Sequence, residues 1–322
     1  MDKVEVDLSS MREKIRKKDI RTGFFLLIVV PLTKGKEEPS LALGGQALIE
    51  GVMIRSRRHL VICVRQTENE ILTHVEEISS PSDRHRVLGL PFVRGIVSLF
   101  ETMYLGVRGI YFSANAVLEE EAEEFTYREW SIVVALVLLL SSFFIVVPFL
   151  LTTLLNLTGV LFNLAEALVR FTFFLTYITL VARWGEFKRV LQYHGAEHKA
   201  INTLEAGETL EIDNVKGFSR LHQRCGTSFI FIVIFVSVLL FSLMPSRGFA
   251  IRLASRVLLI PVIGSISYEL LRISSRYRDS IITRILTAPG LVFQQLTTRE
   301  PDDDMIEVAI KAVEEVNRLN GT

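Results

Sequence analysis

The stretch SIVVALVLLLSSFFIVVPFLLTTLLNLTGVLFNLA, residues 131–165, holds no charged side chain. A transmembrane helix needs about 20 apolar residues, so this run is too long for one span. Asn156, Thr158 and Gly159 interrupt it near its middle. The pattern predicts a hairpin: one helix from Trp130 to Leu154, a tight turn, and a second helix to Ala182. Trp130 and Trp184 then meet the same membrane face, where amphipathic rings gather. A third span is expected over Ser228–Met244, ended by Pro245. A fourth, Ala250–Leu271, carries Arg252, Arg256 and Glu269 and is interrupted by Pro261 and Gly264. That composition predicts a kinked helix packed on its neighbours, not one bathed in lipid.

Composition agrees with this reading. The mean hydropathy of +0.37 is high for a soluble chain. Net charge is zero, with 36 basic and 36 acidic residues, so no charge excess argues for nucleic acid, and none is expected as a partner. Cys63 and Cys225 have no framework spacing, which points to a reducing compartment and to Cys225 as a thiol or ligand. The turn near Asn156 has no Lys or Arg and residues 245–248 have only Arg247. By contrast, residues 183–227 carry Arg183, Lys188, Arg189, Lys199, Lys216, Arg220 and Arg224, and Arg272, Arg276, Arg278 and Arg284 follow the fourth span. The positive-inside bias therefore places both termini and the 183–227 segment in the cytoplasm. Glu166 and Arg170, one helical turn apart, either neutralise each other near the far interface or form a polar patch inside the bundle.

The expected class is an α-helical membrane protein with four transmembrane helices and a small cytoplasmic α+β part containing an antiparallel sheet. Residues 1–40 form an extension whose apolar run, Phe24–Pro31, is too short to span. Residues 41–80 read as sheet, with strands over Ala47–Ile54, Leu60–Gln66 and Ile71–Glu77. Gly44-Gly45-Gln46 and Glu50-Gly51 mark tight backbone or the close approach of another element. They lack the strand-to-helix context of a nucleotide loop. Residues 86–118 follow a helical period and suit an amphipathic helix along the membrane surface. An acidic linker spans 119–129, the transmembrane hairpin 130–182, the polar segment 183–227, the second transmembrane pair 228–272 and a cytoplasmic tail 273–322. In the tail, Ala288-Pro289-Gly290 reads as a turn, and Asp302-Asp303-Asp304 opens a helix with an apolar stripe of Met305, Ala309, Ala312, Val313 and Val316.

The chemistry centres on His194-Gly195-Ala196-Glu197-His198. On a helix, histidines at i and i+4 share a face and can bind zinc or another divalent transition metal. Glu197 falls on the same arc, as general base for the water such an ion activates. His222, Cys225 and Glu269 are candidates to complete the ligand set, with Glu205 and Glu208 as further acids. Gly195 weakens a helix here by about 1 kcal/mol relative to Ala. A blander alternative keeps His194 and His198 as polar residues capping the bundle. Four protein ligands close a site structurally, whereas three leave a position for chemistry.

Four segments resemble signature stretches of the bacterial YqhQ family. They are Gly44-Gly45-Gln46-Ala47-Leu48-Ile49-Glu50-Gly51-Val52-Met53, Gln192-Tyr193-His194-Gly195-Ala196-Glu197-His198-Lys199, Arg224-Cys225-Gly226-Thr227-Ser228-Phe229 and Leu296-Thr297-Thr298-Arg299-Glu300-Pro301-Asp302-Asp303. They occur in order over residues 41–318. The resemblance implies a multi-pass protein of the bacterial inner membrane and a predicted metal-dependent site; it implies no substrate. The likeness to inverted zinc proteases stops at the pentapeptide, so peptidase activity is not carried over. Two functions are expected to compete: a metal-dependent hydrolase at the cytoplasmic face, or a non-enzymatic assembly or scaffold protein with a structural metal clip. In the second, the acidic and amphipathic elements before the first span are surfaces for another membrane protein complex. Transport through the bundle would rest on Glu166, Arg170 and Arg256, too few polar groups for a pathway.

Overall fold

Strands β1 (Gly44–Leu48), β2 (Gly51–Arg55), β3 (His59–Thr67) and β4 (Glu70–Glu77) form an antiparallel sheet in the order β1-β2-β3-β4. The computed structural model describes residues 43–321 apart from 68–69, 120–125, 223–224, 245–247 and 278–280. The extension 1–40 and most of the acidic linker lie outside the described residues. The segment read as one strand, Ala47–Ile54, is two. The chain turns at Ile49-Glu50, pairing Leu48 with Gly51, and Glu50 takes a left-handed φ of 50°. Gly51 is required just after that turn, because a Cβ there would lie 2.3 Å from the Cys63 carbonyl oxygen.

The helices are α1 (Pro81–Arg84), α2 (Val93–Val117), α3 (Tyr127–Thr153), α4 (Gly159–Val181), α5 (Gly185–Ala206), α6 (Ile212–Lys216), α7 (Gly226–Ser242), α8 (Phe249–Leu258), α9 (Ile260–Arg276), α10 (Ile281–Thr297) and α11 (Asp303–Asn320). Strands β2 and β3 are buried on both faces, which explains their near-continuous apolar sequence. Val52, Ile54, Val61 and Cys63 form one core with Tyr193 and Ala196 of α5 and with Met305, Ala309, Val313 and Val316 of α11. The stripe expected on α11 is therefore the one it buries. Met53, Leu60, Ile62 and Val64 point the other way and meet Leu105 and Ala116 of α2.

Helix α2 is more than a surface element. Ion pairs Arg55–Glu101 (2.8 Å) and Arg108–Glu76 (3.3 Å) tie it to the sheet. Its Gly95 lies so close to Ser265 of α9 that a Cβ would come within 3.0 Å of that backbone. Phe100, Met103, Tyr104 and Ile110 stay exposed on its remaining face. Tyr104 stacks on Trp130 at the start of α3, with centroids 5.1 Å apart.

Helices α3 and α4 are long and apolar enough to cross a membrane. The pair α8–α9, bent by 45°, makes a third candidate if taken as one span, while α7, at 17 residues, is apolar but shorter. The bend falls at Leu259, where Pro261 enters the first turn of α9 and needs no intrahelical partner for its nitrogen. The expected turn at Ala288-Pro289-Gly290 is absent: α10 runs through it. Packing overrides the local signal here. A Cβ on Gly290 would lie 2.4 Å from Ser228 Oγ of α7, and Phe293 packs on Phe174 and Phe231 at 5.5 Å each.

Gly290→Val forces α7 and α10 apart and is expected to destabilise by about 1–3 kcal/mol. Gly44→Ala, with nothing within 4 Å of the added carbon, is expected to leave the melting temperature unchanged. Thermal unfolding of both variants in one detergent checks the contrast.

Candidate metal centre

Helix α5 places Tyr193, Ala196, Ala200 and Ile201 in the sheet core. With that face fixed, His194 and His198 fall together on another, their ring centroids 4.4 Å apart. Each ring is held by a main-chain carbonyl. His194 Nδ1 lies 2.8 Å from the Thr297 oxygen and His198 Nδ1 lies 2.7 Å from the Arg220 oxygen. A carbonyl only accepts, so each Nδ1 donates, and this turns each Nε2 toward the other ring and the Cys225 sulfur, as a ligand nitrogen would be. This is the outer-shell arrangement that orients metal-binding imidazoles.

Cys225, which caps the start of α7, brings its Sγ to 3.3 Å from His194 Nε2. One ligand atom from each of His194, His198 and Cys225 fits within a 4.8 Å group. A tetrahedral zinc with bonds of about 2.1 Å to nitrogen and 2.3 Å to sulfur sets neighbouring ligand atoms about 3.6 Å apart, so the donor set and its spacing suit such an ion. Thr227 Oγ1 donates to the sulfur, at 3.3 Å.

Glu197 sits behind this trio. It is 3% exposed, and its Oε2 lies 3.6 Å from His198 Nε2. Burial pushes its carboxyl up from the usual range, opposed by His194 and His222. Burial likewise pushes His198 down, which favours the neutral ring a metal needs. The close approach expected at Gly44-Gly45 is the one that seats Glu197: a Cβ on Gly45 would lie 2.1 Å from its Oε1.

Gly195 has a comparable reason. Residues 299–301 cross α5 so closely that a Cβ at 195 would meet the Arg299 carbonyl at 2.1 Å. That segment is pinned by the Arg299 amide donating to Leu191 O (2.8 Å) and by Gln192 Nε2 donating to Glu300 O (3.2 Å). On the sheet side, Arg189 forks onto Glu50, and Tyr193 donates to the same carboxylate at 3.3 Å. Burial, with the Glu50 charge next, raises the Tyr193 phenol well above its usual range, so it stays a donor.

The remaining sequence candidates divide. His222 is beside the cluster, its ring 5.6 Å from that of His198 and its Nε2 3.7 Å from Glu205 Oε1. Its main chain is clamped by Gln294, which accepts from the His222 amide and donates to its carbonyl, both at 2.8 Å. Glu269 lies apart from the trio, with Arg94 Nε at 2.7 Å and the Phe92 amide at 3.2 Å both donating to it. Sequence reasoning missed the carbonyls of Thr297 and Arg220, which carry no side-chain signature, and Gln294, which no motif singles out.

Apolar helices able to cross a membrane, joined to a layered sheet domain with a His/His/Cys cluster at the junction, define a membrane-type helical protein. Residues 90–319 match the family described as "Protein of unknown function (DUF1385)". The chain is 35% identical over 308 residues to "Uncharacterized protein YqhQ" of Bacillus subtilis, covering 89% of this chain and 95% of the relative. It belongs to the YqhQ family. No solved structure matches it.

Gln294→Leu strips both buried hydrogen bonds from the His222 main chain. Stranding those groups is expected to cost about 2 kcal/mol or more, read as a lower melting temperature, whereas exposed Gln295→Leu changes little.

Proposed function

We propose that the protein is a metal-dependent hydrolase of the bacterial inner membrane, with its centre on the cytoplasmic face. The observation that carries this reading is the pair of Nδ1–carbonyl bonds, which turns the Nε2 atoms of His194 and His198 toward the Cys225 sulfur. His194, His198 and Cys225 hold the ion, zinc or another divalent transition metal, and the fourth position is left for substrate or water. When bound, the ion supplies Lewis-acid polarisation. Glu197 accepts a proton at Oε2, the oxygen next to His198 Nε2, while the Gly45 backbone confines its other oxygen. Helices α3, α4, α7 and bent α8–α9 act as four spans, with the sheet and both termini cytoplasmic, as the Lys and Arg distribution supports.

A second reading is supported by the position of Cys225, at the head of α7, against histidines of α5. There the metal is a structural clip between sheet domain and bundle, closed by His222. The protein then acts as an assembly or scaffold factor for another membrane complex, with the elements before α3 as partner surface.

Elemental analysis of purified protein is expected to give about one metal ion per chain, lost in His194→Ala and retained in Glu197→Gln. Wild type without metal after purification in metal-replete buffer would sink both readings. Glu197→Gln that keeps its metal and melting temperature but fails to complement a deletion strain supports the hydrolase; full complementation supports the clip.

For topology, a cysteine at Asn156 is expected to react with an impermeant maleimide in intact cells, and one at exposed Glu314 only after lysis. The reverse pattern would overturn the orientation.

A further inference from the structure

Away from the sheet, the bundle holds a second polar centre. Arg256, 3% exposed, donates to Glu166 Oε2 (2.7 Å) and to Asn163 Oδ1 (2.9 Å), and Arg170 donates to Glu166 Oε1 (2.6 Å). The Arg256 guanidinium lies over Phe241 at 4.4 Å, Phe149 at 5.3 Å and Phe162 at 5.8 Å. These rings belong to the last turns of α3 and α7 and the first turn of α4. The rings around Arg256 are therefore about one turn, roughly 5 Å, inside the helix ends opposite the sheet domain, while the backbone of Glu166 and Arg170 lies roughly 10 and 16 Å along α4, whose side chains lean back toward that end.

Its charges do not balance. Beyond the first turn of α3, helices α3, α4, α7 and α8 carry Arg170, Arg252 and Arg256 against the single acid Glu166. Among the described residues, Arg170 Nε and Arg252 Nε are buried without an acceptor. Uncompensated cations at such depth are costly and call for an anionic partner.

A cavity of about 370 Å³ leads to the same place. Its walls are apolar, with Leu99, Val233, Phe241 and Ile263 among them, and the polar groups on them include Arg170 and Arg256. Exposed Phe100 and Met103 of α2 also line it. The volume falls at the lower end of small-ligand sites. A helix of about 10 Å diameter crossing the bilayer fills several times that space.

We propose that this cavity holds an acyl chain of an anionic phospholipid from the leaflet opposite the sheet domain, its phosphate seated against Arg170 and Arg256. Arg170 keeps its buried Nε without an acceptor and can donate it to a phosphate oxygen, whereas the Arg256 donors are taken by Glu166, Asn163, the Arg252 carbonyl and Ser255 Oγ, so Arg256 attracts the phosphate by charge. Glu166 then orients both arginines without cancelling them. The proposal rests on the bilayer placement given above, which the maleimide labelling tests separately.

Native mass spectrometry of the full chain from lipid nanodiscs tests it. The protein is expected to retain one phosphatidylglycerol after transfer to detergent, and no phosphatidylcholine from discs made of that lipid alone. Arg170→Gln is expected to lower retention about fivefold, the share of one arginine. Val233→Trp, which fills the cavity, is expected to abolish it while the metal content stays at the wild-type level. Equal retention of both lipids by the wild type overturns the proposal without recourse to any variant. So does a free fatty acid or a small membrane protein found bound instead, or retention undiminished in a folded Val233→Trp protein.

Discussion

The middle turns of helix α5 are buried almost all round although much of their sequence is polar. From Gln192 to Ala200, every residue except His194 is buried. A buried polar side chain without a partner costs about 1–3 kcal/mol, so this helix can exist only where its surroundings answer each group in turn. They do. Gln192 reaches the Glu300 carbonyl, His194 that of Thr297, His198 that of Arg220, and Lys199 that of Lys216. The sheet, the segment after α10 and the loop before α7 are arranged around one helix, and that requirement fixes how the layered domain meets the bundle.

The same demand explains which parts of the structure could be read in advance. The α3–α4 hairpin was legible because a long uncharged run has few other fates, and the kink near Pro261 because proline has a backbone consequence at its own position. The burying face of α11 followed from its period. The sheet was legible as a class, and Glu50-Gly51 was marked as tight backbone, but the strand break there was not read, since the left-handed residue is a glutamate and not the glycine or asparagine such turns usually show. Helix α10 was hidden by Pro289-Gly290, where local chemistry argued for a turn and the close fit of Gly290 on Ser228 decided otherwise.

At the candidate centre, side-chain spacing was enough to pair His194 with His198 and to suggest Cys225. Glu269 illustrates where spacing fails: its place at the end of the fourth segment fitted a ligand, yet Arg94 from a helix far earlier in the chain binds it. The groups that orient the imidazoles are main-chain oxygens, which any residue supplies and no pattern announces. Gly45 and Gly195 were visible as glycines, and the structure supplies their reason, a carboxylate on one and a crossing backbone on the other.

The order of elements along the chain has a consequence for biosynthesis. β3 emerges early, yet its buried face is covered by α11, which ends at Asn320, and Arg65 of that strand pairs with Glu307 across 242 positions. His194 leaves the ribosome long before the Thr297 carbonyl that steadies its ring. Ribosomes add roughly 5–20 residues per second, so the sheet waits on the order of tens of seconds for its cover and His194 on the order of ten. The nascent chain thus carries an unfinished sheet and an unsteadied His194 until synthesis is nearly complete. A copy terminated before α10 would display His194, His198 and Cys225 without the Thr297 carbonyl that aims the first of them.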